Sequence, residues 1–134
     1  LAMSEKFTID LDFGDVKVGN VLVTSLGEGL FQLETSPFDE HAFYKDIIQA
    51  KKQEDGSFLF EKVIQPSGRK NYCYLLSKQF YETSEFESLL NRIEKSDGYW
   101  EQVFGGILVV SLPPNSEINL PKEIVKIKKL LNIE

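Results

Sequence analysis

The hydrophobic period of this chain changes near residue 80, which limits it to folds whose first half is built of strands and whose second half mixes strands with helices. Phe7, Ile9, Leu11 and Phe13 alternate with Thr8, Asp10 and Asp12, the period of two that a strand with one buried face requires. Residues 21–26 and 30–35 predict two more strands around Gly27-Glu28-Gly29, which supplies the positive φ angles of a tight hairpin. Further strands are expected from Ile47, from Phe58 and over 71–77. Glu54-Asp55-Gly56-Ser57 and Pro66-Ser67-Gly68 act as the turns between them.

Beyond residue 80 the spacing becomes helical. Ser84-Glu85-Phe86-Glu87 reads as a capping box, Phe86, Leu89, Leu90 and Ile93 share one helical face, and Asp97-Gly98 supplies a stop, so a helix is predicted over 85–95. Residues 99–104 and 107–112 form a hairpin around Gly105-Gly106. Pro121 then opens a last helix with Ile124, Ile127, Leu130 and Leu131 on its apolar stripe. The fold class is α+β: an N-terminal small antiparallel β-barrel or curled sheet of about five strands, then a β-α-β-β-α half of the ferredoxin-like split βαβ type. Residues 1–134 are expected to form a single compact unit, with 5–66 barrel-like and 67–134 split βαβ-like.

A chain of 134 residues with 42% hydrophobic residues can bury a core without disulfides or metal. Cys73 and His41 are the only residues of their kinds, so an internal disulfide and the usual Cys- or His-pair metal sites are excluded. No catalytic, cofactor-binding or metal site is expected. His41 reads as a surface histidine beside Asp39 and Glu40, and Cys73, between Tyr72 and Tyr74, as a packed and inert thiol. No run approaches the ~18 apolar residues of a membrane span, and the polar start Leu1 to Lys6 does not resemble a signal peptide; the expected location is cytoplasmic.

The net charge of −6 argues against nucleic acid and anionic membranes as partners. The acids concentrate in residues 1–44, with eight acids and two bases, and in 82–101, with six acids and two bases. Asp10, Asp12 and Asp15 form one candidate partner-binding patch. Glu85, Glu94 and Asp97 form a second beside Tyr99 and Trp100, where aromatics would supply buried area and acids would steer a basic protein. Ser67, Arg69 and Tyr72 are the candidate anion or small-ligand site, and the chain is expected to be a monomer or weak dimer.

Leu33-Glu34-Thr35-Ser36-Pro37-Phe38, Tyr44-Lys45-Asp46-Ile47-Ile48, Asp55-Gly56, Val63-Ile64 and Ser67-Gly68-Arg69 together resemble a bacterial family of unknown function. The resemblance continues through a short helix and a hairpin like that of residues 101–113, and it implies a small β-barrel followed by a ferredoxin-like split βαβ half. That family's Gly-Asp step reads Lys45-Asp46 here. With no activity assigned to the family, the resemblance implies no catalytic residues.

The functional expectation is a non-catalytic protein-binding domain, for example an acidic immunity-type inhibitor of a basic bacterial protein. The alternative is a small-ligand sensing or regulatory module, using a groove between the two halves lined by Phe38, Phe43, Tyr44 and Tyr72.

Overall fold

A computed structural model describes residues 5–132, and the chain divides into two compact units between Ser67 and Gly68. The first unit is a closed barrel of β1 (Lys6–Asp12), β2 (Lys17–Gly27), β3 (Leu30–Leu33), β4 (Ile47–Lys52) and β5 (Phe58–Gln65). Successive strands reverse direction, so the first and fifth run the same way and the barrel closes through a parallel pair, Leu11 with Phe58 and Asp12 with Leu59. Register shifts between Ile9 and Leu11, between Ser25 and Gly27, and twice along β4 and β5 bend the strands enough to close so few of them. The alternating side chains then deliver Ile9, Leu11, Val23, Phe31, Leu33 and Ile48 to the interior. Gly27, Glu28 and Gly29 all take positive φ in the β2–β3 turn.

The second unit contains β6 (Lys70–Leu75), α1 (Lys78–Tyr81), α2 (Ser84–Lys95), β7 (Tyr99–Val103), β8 (Ile107–Leu112) and α3 (Leu120–Leu130). The strand order is β6-β8-β7, and both pairs are antiparallel. β6 and β7 therefore run parallel with β8 inserted between them, the arrangement of a split βαβ unit. Leu108, Val110 and Leu112 from β8 pack with Phe80, Leu89, Ile93, Leu120 and Ile124 from the helices in one core. Among the described residues, no helix is long and apolar enough to cross a membrane.

Local details depart from the sequence reading. Residues 78–81, where the sequence predicts no element, form a one-turn helix capped by Ser77, and it buries Phe80 completely. α2 is capped by Thr83, whose hydroxyl accepts the Phe86 N–H at 3.0 Å, while Ser84 is already helical. Phe86 stands where a capping box needs glutamate or glutamine, so the reciprocal half of the box is missing. Cys73 is exposed and not packed, because alternation along β6 turns Tyr72 and Tyr74 toward the core and Cys73 to the opposite face.

Candidate functional site

The carboxylates of the first patch are spent largely within the barrel. Asp10 accepts the Asn20 N–H at 3.1 Å. Asp12 accepts the Gly14 N–H at 2.8 Å and the Gln53 amide at 3.0 Å. That amide also reaches Ser57 Oγ at 2.9 Å, Ser57 donates to Asp55 at 2.6 Å, and Asp55 pairs with Lys17 at 2.8 Å. This chain of bonds clasps the β1–β2 turn to the β4–β5 turn beside the parallel closure. The Gly14 N–H and then Gln53 hold the Asp12 carboxyl below its ordinary range, and Lys17 and then Ser57 do the same for Asp55. Asp15 remains on the exposed turn between β1 and β2.

His41 lies in the polar loop, its Nδ1 2.6 Å from Asp39 Oδ1, with its ring stacked near Phe13. The Asp39 hydrogen bond raises its pKa above the ordinary 6.5 against a smaller opposing effect of burial. Because the folded-state pKa is raised, this pairing stabilises the fold fully below the unfolded pKa, and the benefit is lost as pH rises through the folded value. A proton NMR titration is expected to place His41 above 6.5 and to show it falling back toward 6.5 in Asp39→Asn.

A buried glutamate paired with partly exposed lysines was not evident from the sequence. Glu34 is buried in the barrel unit, accepts the Thr24 hydroxyl at 2.7 Å and pairs with Lys45 Nζ at 2.5 Å, with Lys6 at 4.0 Å. Burial acts to raise its pKa, but the bonds from Lys45 and Thr24 together outweigh it and hold Glu34 below its ordinary value. Asp46, also buried, accepts the backbone N–H groups of Phe43 and Ser67 at 2.9 and 2.8 Å. Lys45 takes a φ of +71° between these two acids, a conformation in which glycine would meet no steric cost.

The second acidic patch is divided by the geometry of α2. Glu85 and Glu94 are nine residues apart, roughly half a turn out of phase. Glu85 lines an open groove between α2 and α3 with Arg92, Glu123 and Lys126, whereas Glu94 accepts the Trp100 indole N–H at 2.9 Å. Trp100 packs partly against the core, and Tyr99, its neighbour on the opposite face of β7, donates its hydroxyl to Glu101. Asp97 ends α2 in a left-handed conformation, φ +61°, and Gly98 N–H returns to the Ile93 carbonyl at 2.8 Å. This is a Schellman closure in which aspartate, not glycine, occupies the left-handed position.

The proposed anion ligands serve separate structural tasks. Ser67 belongs to the first unit, where its N–H caps Asp46. In the second unit Arg69 bonds Ser111 Oγ at 2.7 Å, the Ser111 carbonyl at 2.9 Å and the Asp97 carbonyl at 2.9 Å, tying β8 to the end of α2. Tyr72 packs on the core, and its ring stacks with that of Tyr74.

The strongest unspent surface lies at one corner of the second unit. Phe104 forms the tip of the β7–β8 hairpin and is 90% exposed, and Leu75 at the end of β6 is 80% exposed. Gly106 joins the two: a Cβ built on it would lie 3.3 Å from Leu75 Cδ1, and its carbonyl accepts both Leu76 N–H at 2.8 Å and Tyr81 OH at 2.9 Å. Those bonds brace the tip against the end of β6 and α1. Phe104 and Gly105 have φ of +52° and +75°, two successive left-handed residues in the three-residue loop between the paired Val103 and Ile107. Asparagine-glycine fits such a turn with little strain, and a bulky aromatic does not. An aromatic directly before Gly-Gly was the available sequence signal, but period-two reading assigned Phe104 to the strand.

No family model matches this chain, and no curated protein matches it. A solved structure described as a novel crystal structure of a hypothetical protein from Neisseria gonorrhoeae is similar, with 20% sequence identity and a TM-score of 0.59 over 99% of this chain and 92% of that one. This chain has the fold of that uncharacterised bacterial protein over essentially its whole length.

Proposed function

We propose that this chain is a non-catalytic protein-binding domain that engages a basic protein, as an immunity-type inhibitor does, with the Leu75–Phe104 corner as its apolar anchor. The observation that carries this reading is Phe104, a large aromatic held almost fully in water on a backbone conformation that costs it energy. Strain of this sort at an exposed site accords with a functional demand, because folding gains nothing from it. The charge of −6 supports steering of a cationic partner, and the braced hairpin supports rigid presentation of the aromatic.

The reading predicts opposite effects of one substitution. Phe104→Asn is expected to stabilise the fold by about 0.5–1 kcal/mol in chemical denaturation, since asparagine tolerates the left-handed region. The same variant is expected to weaken binding at least about tenfold in interferometry against a panel of basic bacterial proteins, with wild-type affinity falling as salt rises. Binding unchanged in Phe104→Asn, or no salt-sensitive complex across the panel, would remove the corner from consideration.

A further inference from the structure

The net charge is not shared between the two units. Residues 1–67 contain twelve acids and six bases, whereas residues 68–134 contain nine of each, so the whole of the −6 falls on the barrel unit. Attraction of a cationic partner therefore comes from the barrel, and the neutral second unit, which carries the Leu75–Phe104 corner, adds little to it. Several of the barrel's acids are committed within it. Asp12, Asp46 and Asp55 tie its turns and loops together, and Lys17 and Lys45 are held by Asp55 and Glu34.

One place on this unit combines exposed acids with exposed aromatics. Asp15, in the β1–β2 turn, and Glu40, in the β3–β4 loop, are exposed, and both act with Asp39 on the charge of His41, which gathers three carboxylates around one imidazole. The His41 ring lies 6.4 Å from the rings of both Phe13 and Phe60. In the same loop Phe38 is 42% exposed and Phe43 39%. These two flank the bridge between Asp39 and the fully buried Ala42, and their backbone N–H groups are held by Ser36 Oγ at 3.2 Å and by Asp46 at 2.9 Å. The loop is braced from within, so little ordering is left to do when a partner docks.

We infer that the β1–β2 turn and the β3–β4 loop form a second docking surface, on the barrel unit, for an arginine-rich segment of the basic partner. Charge and ring chemistry select this occupant together. A guanidinium pairs with carboxylates and stacks on aromatic faces, so it satisfies both features of the surface at once. An acidic segment is repelled, and an uncharged one leaves the carboxylates without a counter-charge. The inference rests on the reading of a basic protein partner, and not on the Leu75–Phe104 corner.

An NMR titration of the full chain with an oligoarginine peptide of about ten residues is expected to give saturable amide shifts at residues 13–15 and 38–43, weakening as salt rises. The double variant Asp15→Asn/Glu40→Gln is expected to weaken peptide binding at least about fivefold, whereas Glu5→Gln/Glu28→Gln, which removes the same charge elsewhere on the barrel unit, changes it less than about twofold. Phe38→Asn, which suits the +55° backbone angle there, is expected to weaken it at least about threefold, and Phe104→Asn to leave it unchanged. Equal losses in the two charge variants would show attraction to net charge alone and overturn the inference. So would an unaltered affinity in Phe38→Asn, or shifts absent from both segments. Absent peptide binding together with a weakened protein complex in Phe104→Asn overturns this surface and leaves the corner standing.

Discussion

Replacing Lys45 with methionine is expected to destabilise the barrel unit by about 2–3 kcal/mol at pH 7, less than the loss for a fully buried pair because Lys45 is a third exposed. The physical cause is Glu34, left in the interior with the Thr24 hydroxyl but without the cation that compensates its desolvation. In the wild type the folded-state pKa of Glu34 is lowered, so its contribution is present above the unfolded value of 4.5 and is lost as pH falls through the folded one. In Lys45→Met the main cation that lowers that pKa is gone, so the ionised carboxylate contributes less and the variant's stability falls less steeply with acid. The gap between the two proteins should therefore be wide at pH 7 and narrow near pH 4, as read by urea denaturation at each pH. Lys45→Gly loses the same ion pair but relieves the +71° backbone angle, so it should be less destabilised than Lys45→Met by about 1 kcal/mol. Equal losses in the two variants would show that the backbone conformation at Lys45 carries no strain.

Gly98→Ala is expected to cost on the order of 2–3 kcal/mol, and to lower the melting temperature of the second unit by about 10 °C. A Cβ at this position would lie 2.5 Å from Ile93 Cγ2 and 2.7 Å from the Ile93 carbonyl. Ile93 is fully buried and cannot withdraw, and the carbonyl is the acceptor of the Gly98 N–H that closes the helix. Asp97→Gly, one residue earlier, should stabilise by about 0.5–1 kcal/mol, because the +61° angle falls there. Were Gly98 simply a left-handed helix terminator, the order would be reversed, with Gly98→Ala penalised for its backbone angle and Asp97→Gly neutral. Differential scanning calorimetry of both variants distinguishes the two roles.

These cases mark where sequence reading succeeded and where it stopped. Asp97-Gly98 was legible as a helix stop because any helix ending there needs a left-handed residue. Which of the two takes that conformation depends on how closely Ile93 approaches, and that is a fact of packing. Thr83 and Ser84 are both good caps, and the choice between them was made by where the chain leaves α1. Glu34 sat in an alternating run that gave no sign of its burial, and its cation comes from a loop eleven residues away. The acids of 82–101 looked like one patch in the chain, yet helical rotation sends Glu85 to α3 and Glu94 to Trp100.

What the chain determines by itself is its set of local elements: the period-two runs, the glycine turns and the apolar stripes of α2 and α3 follow from backbone sterics and side-chain alternation within a few residues. Even the parallel closure of the barrel follows once five strands are joined in meander. The tertiary structure alone decided which polar groups are spent and which remain. It committed Asp12, Asp55, Glu34 and Arg69 to holding the fold together, while leaving Phe104 and Leu75 in water. The reason is that hydrogen bonds and burial depend on residues distant in sequence, and no local spacing encodes that proximity.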